Sequence, residues 1–222
     1  MKKSLLSVAI VTVLLLAVAV FASAQDYVSA PFTKTAPDLD GVLNDEAWTL
    51  AAEKGGKVTL SYNLNGKRAS GVETEVYVAW DYDYLYIAYK AYQDESTLIN
   101  TIANDGGAVW IDEDDIEIFI DTMFPASTFK QFVSNPNGIR SVIAAGWDVW
   151  AEIYKDHWVV EIAIPFDQFN VWPDVGDEWA INFARHVGYL TGAGDGEWFT
   201  FSPLVGSTFL DPSTLCLLEF VR

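Results

Sequence analysis

Apolar and polar side chains alternate with a period of two along most of this chain. Residues 72–80 read VETEVYVAW and residues 84–92 read YLYIAYKAY, with DYD between them. Successive side chains of an extended chain point to opposite faces, so such β-branched and aromatic runs are strands, and the polar tripeptide makes them a hairpin. The same alternation recurs in KVTLSYNL at 57–64, DIEIFID at 115–121, FKQFVSN at 129–135, GIRSVIAA at 138–145 and VWAEIYKD at 149–156. It continues in HWVVEIAIP at 157–165, EWAINFARH at 178–186, EWFTFS at 197–202 and TLCLLEFV at 214–221. Turn signals separate the runs: NLNGKR, NPNG, GAGDG and DPST. Helix-like pieces are confined to NDEAWTLAAEK at 44–54, DESTLIN at 94–100 and PFDQF at 165–169. The pattern predicts an all-β fold, an antiparallel β-sandwich of jelly-roll or immunoglobulin-like type with a few short helices. The chain shows no internal repeat, no low-complexity tract and no linker.

The beginning of the chain breaks the pattern. Lys2 and Lys3 precede an apolar run at 5–21 that closes on Ala22-Ser23-Ala24. This reads as a secretory signal peptide at 1–24, cleaved after Ala24, because a small-residue cleavage site follows it and no basic stop-transfer cluster does. The expectation is a secreted protein, extracellular or periplasmic, with residues 25–222 as a single domain and no membrane insertion after cleavage. Cys216 is the only cysteine, so stability must come from a core rather than from a disulfide. The formal net charge is −18, more negative still without the two leading lysines, which argues against nucleic acid and anionic membranes as partners. The acids stand in short clusters such as DYDY and IDEDD within a chain that is 51% hydrophobic, so disorder does not explain them.

Six segments, in order, resemble the family-9 carbohydrate-binding modules and the sandwich group around them. PDLDGVLNDEAW at 37–48 resembles the opening box, and VYVAWDYDYLYIAYKAYQDE at 76–95 the aromatic hairpin. WIDEDDIEIFIDT at 110–122 resembles a tryptophan followed by an acidic strand, and FKQFVSNPNG at 129–138 the following strand and turn. HWVVEIAIPFDQF with GDEWAINFARH resembles the next pair, and FSPLVGSTFLDPSTLCLLEF the closing segment. In the residues themselves, Gly41 permits a tight turn, while Trp48, Trp80 and the tyrosines Tyr84, Tyr86 and Tyr89 read first as core.

The resemblance implies a non-catalytic module that holds a pyranose between aromatic rings. A pyranose with equatorial hydroxyls offers a flat C–H face to an aromatic ring and an edge that needs planar polar partners. The implied ligands are glucan or xylan chain ends and their oligosaccharides, and a separate glycoside hydrolase or a cell-surface partner is implied as company. Trp110 matches the first stacking tryptophan and Glu117 the carboxylate on the following strand. Phe201 stands at the second stacking position, with Trp198 three residues before it and Phe209 after it. Gln131 and Asn135 match polar positions, and Asn182 and Arg185 are further candidates for the polar edge. Val133 stands where sugar-binding members carry an arginine.

Alternation places Ile116, Ile118 and Ile120 on one face and Glu117, Phe119 and Asp121 on the other. A carboxylate there is costly if dry and unpaired, so solvent, a ligand or a cation such as Arg140 or Arg185 should meet it. Asp112, Asp114 and Asp115 suit a hard cation, and the resemblance implies structural calcium; a solvated acidic loop explains them equally well. Two other functions stay open. Glu117 and Glu161 are the first candidates for a glycosidase carboxylate pair, and Met123, the only methionine beyond the leader, is the candidate ligand of a haem-binding relative.

Overall fold

The computed structural model describes residues 26–69, 73–141, 145–188, 197–206 and 208–222. The leader expected at 1–24 lies outside the described residues. In chain order the elements are β1 (Tyr27–Pro31), α1 (Glu46–Glu53), β2 (Lys57–Thr59), β3 (Tyr62–Asn63), β4 (Thr74–Trp80) and β5 (Tyr84–Tyr92). There follow α2 (Val109–Asp112), β6 (Asp115–Asp121), β7 (Lys130–Ser134), β8 (Asp148–Ile153), β9 (His157–Pro165), β10 (Glu178–Val187), β11 (Glu197–Thr200) and β12 (Cys216–Val221). Single 3₁₀ turns stand at Glu95–Thr97, Phe166–Gln168 and Pro212–Thr214.

The strands form two packed sheets, as the alternation predicts. One has the order β2-β4-β5-β9-β8, all antiparallel. In the other, β6 runs between β7 and β10, while β12 and β11 share the far edge of β10. β1 joins this sheet beside β12, and that pair is parallel. The inner faces meet in one core. Ile116, Ile118 and Ile120 of β6, with Ile181 and Phe183 of β10, face Val76 and Val78 of β4, Ile87 and Tyr89 of β5, and Val160 and Ile162 of β9. Each such side chain contributes about 1.5–3 kcal/mol by leaving water.

Three segments depart from the alternation. KVTLSYNL is not one strand: Leu60 N donates to Thr74 O in the first sheet and Ser61 N to Thr200 O in the second, so the chain changes sheets between them. GIRSVIAA forms only isolated bridges at Arg140 and Ser141 among its described residues. The last strand starts at Cys216, because Asp211, Pro212 and Ser213 make a capped turn before it. No helix among the described residues is long and apolar enough to cross a membrane.

Candidate functional site

Glu117 lies on the outer face of β6, directly opposite Ala184 of β10 and Val133 of β7. The small Ala184 leaves the carboxyl a floor position between the strands. Gln131 pairs with Phe119 one step along the same face, and its Nε2 donates to Glu117 Oε2 at 2.8 Å. Above this pair two aromatic walls rise. Trp110 stands on the one-turn helix α2. Trp198 of β11 pairs with His186 and stacks on its ring, 4.3 Å between centroids and 15° between planes. Phe209 lies 5.1 Å from Trp198 and stacks on Phe119 at 5.4 Å and 5°.

Trp110, Glu117, Gln131, Trp198 and Phe209 line one cleft of about 470 Å³, with Leu64, Thr208 and Leu210 at its margin. Four of the residues expected from sequence therefore come together. Leu64, Thr208 and Leu210 carry no sequence signal, and Phe209 takes the wall position expected of Phe201.

The cleft floor is electrostatically unusual. Glu117 is only 2% exposed, and burial pushes its carboxyl up to about 7, against the smaller opposing effect of the Gln131 hydrogen bond. Arg140 does not neutralise it, since its guanidinium pairs with Asp105 and donates to Trp147 O. Arg185 does not either. It shares the inner face with Ile181 and Phe183, donates to Thr74 Oγ1 at 2.8 Å and Gln93 Oε1 at 2.6 Å, and lies 5.5 Å from the Trp158 ring.

The other candidates do not line this cleft. Asn182 spans the closing segment: its Nδ2 donates to Ser202 O and Thr214 O, and its Oδ1 accepts from Ser202 N and Phe183 N. Asn135 caps its turn by accepting from Asn137 N and Ile139 N, and donates to the buried Glu113 at 2.8 Å. Phe201 is 8% exposed in the inter-sheet core, 6.1 Å from Phe183, because the chain turns inward as soon as β11 ends.

Of the acids expected to hold a cation, Asp114 and Asp115 are buried. Asp112 ends α2. Asp114 accepts from Ile99 N at 2.6 Å and Gly188 N at 3.3 Å, closing two loops onto β6. Asp115 is fully buried, neither of its carboxylate oxygens has a hydrogen-bond partner among the described residues, and His186 Nδ1 lies 3.8 Å from Oδ2. Burial first, then the charges of Glu117, Asp114 and Glu113, push its carboxyl far above the usual range. Among the described residues no three acidic, histidine or cysteine side chains converge as metal ligands.

The glycosidase pair fails on topology. Glu161 sits on the outer face of the other sheet, beneath the opening box: its Oε2 accepts from Asp40 N at 3.0 Å and Gly41 N at 2.6 Å, and its Oε1 from Trp48 Nε1 at 2.7 Å. The whole sandwich separates it from Glu117. Met123, the haem candidate, is 58% exposed just past β6 and does not line the cleft.

Known proteins share this architecture. A family 9 carbohydrate-binding module from Caldicellulosiruptor kristjanssonii in complex with cellotriose superposes with a TM-score of 0.70 at 15% identity, over 88% of this chain and 93% of that one. A module of the same family and organism in complex with glucose gives 0.66 at 17% identity, over 88% and 95%. A putative carbohydrate-binding protein from Bacteroides uniformis gives 0.66 at 15% identity, over 89% and 100%. No curated protein matches this chain. The family described as "Carbohydrate family 9 binding domain-like" matches residues 39–220, and by that match the chain belongs to it.

Proposed function

We propose that the cleft between Trp110 and the Trp198–Phe209 wall binds a pyranose of a glucan or xylan oligosaccharide, without catalysing its hydrolysis. The observation that carries this reading is the pairing of aromatic walls with a hydrogen-bonded carboxyl–amide floor. The rings take the C–H faces of the sugar, while Glu117 Oε1 and the free valences of the Gln131 amide take its hydroxyls. The protein acts by capture after export, in company with a separate glycoside hydrolase or a cell-surface partner. Two structures of similar architecture hold cellotriose and glucose.

Calorimetry with glucose, cellobiose and xylo-oligosaccharides, in calcium and in chelator, tests both the ligand and the ion. Trp110→Ala is expected to abolish binding while leaving the melting transition in place. Unchanged affinity in that variant rejects the site, and a collapse of the fold assigns Trp110 to packing.

A further inference from the structure

The cleft is not closed at Trp198. Leu64 and Trp198 also border a second hollow of about 380 Å³, which runs over the hairpin formed by β3 and the bridge from Tyr62 to Arg68. Arg68 and Phe199 carry that hollow on into a third of about 250 Å³. A chain leaving the aromatic walls over Leu64 therefore meets Arg68.

Arg68 is set for a ligand rather than for the fold. Its guanidinium lies over the Tyr62 ring, 4.8 Å from the centroid, and no carboxylate among the described residues is within ion-pair distance of it. Asn63 beside it spends its Oδ1 on Asn65 N and Lys67 N, which fixes the turn, and its amide N–H groups meet no acceptor among the described residues. A planar guanidinium held on an aromatic face, next to an amide donor, matches the two oxygens of a carboxylate. Glu197 and Glu73 line the same hollows, and the chain carries a net charge of −18, so a ligand acidic at every unit is repelled.

We propose that Arg68, with Asn63, reads a single carboxylate-bearing branch on the oligosaccharide whose neutral unit sits between Trp110 and Trp198, making the protein selective for sparsely acidic chains. The proposal rests on the reading of the cleft given above.

The test compares xylohexaose with the same backbone bearing one glucuronic acid branch, placed at each successive unit, by calorimetry at physiological ionic strength. At least one branched isomer is expected to bind about tenfold more tightly than the neutral chain, the size of one charge-assisted contact. In Arg68→Gln the ratio of the two affinities should fall to about one, with thermal melting reporting that the fold is intact. Equal affinities for every isomer, or a preference that survives Arg68→Gln, overturns the proposal alone. Failure of the neutral chain to bind overturns the reading of the cleft, and this proposal with it.

Discussion

Glu117 is a carboxyl held where ionisation is costly. Its folded value, about 7, lies above the ordinary 4.5, so burial favours the protonated form. The stability this contributes is fully present below the unfolded value and is lost as pH rises through about 7. Melting temperature is therefore expected to fall between pH 5 and pH 8, by the equivalent of up to ~3 kcal/mol from this group, and Glu117→Gln should flatten that part of the profile. A variant with the same slope as the parent removes Glu117 as the cause. The face parity of β6 was legible in the sequence and put Glu117 opposite Ile116 and Ile118. Parity also held the signal for the residues that lie elsewhere. Phe201 has the parity of Phe199, not of Trp198, and Arg185 that of Ile181 and Phe183, so both belong inside. Trp198 stacking on His186 had no such signal, since it depends on strand register, which only the pairing of β10 with β11 supplies.

Glu161 shows what an acidic residue does for an element. Three N–H groups of the segment from Asp40 to Trp48 converge on its carboxyl, and Gly41, at a φ of +86°, takes the turn that lets two of them point the same way. Cutting the side chain back leaves two buried donors and one half-buried donor without this acceptor. Glu161→Ala is expected to cost roughly 2–5 kcal/mol in urea unfolding, with sugar binding at the opposite sheet retained in the folded fraction. A loss below ~1 kcal/mol would mean that water replaces the carboxyl. Most strands were legible, because β-branched alternation is a local property, but β1 was not among the runs, GIRSVIAA makes only isolated bridges among its described residues, and strand ends were not legible. KVTLSYNL alternates without a break, yet it is divided at Leu60 and Ser61 by which sheet each backbone group bonds, and α2 is one turn with no capping side chain to announce it.

At the scale of the molecule, ligand and fold are linked by mass action. A cello- or xylo-oligosaccharide at 100 times its Kd should add about 2.7 kcal/mol to unfolding, raising the melting temperature by several degrees for a chain of this size, whereas Trp110→Ala should show no ligand shift. An equal shift in that variant would locate binding elsewhere on the surface. The two-sheet architecture was legible because hydropathy alone dictates it; the parallel seam was not, because nothing local to either strand marks its partner. That seam, Tyr27 against Leu217 through Pro31 against Val221, joins the first strand to the last. The first of these strands therefore has no pairing partner until the chain has been made as far as β12. A pairing of such long sequence separation costs loop-closure entropy before it returns any contact, and that slows completion of the sheet that carries the cleft.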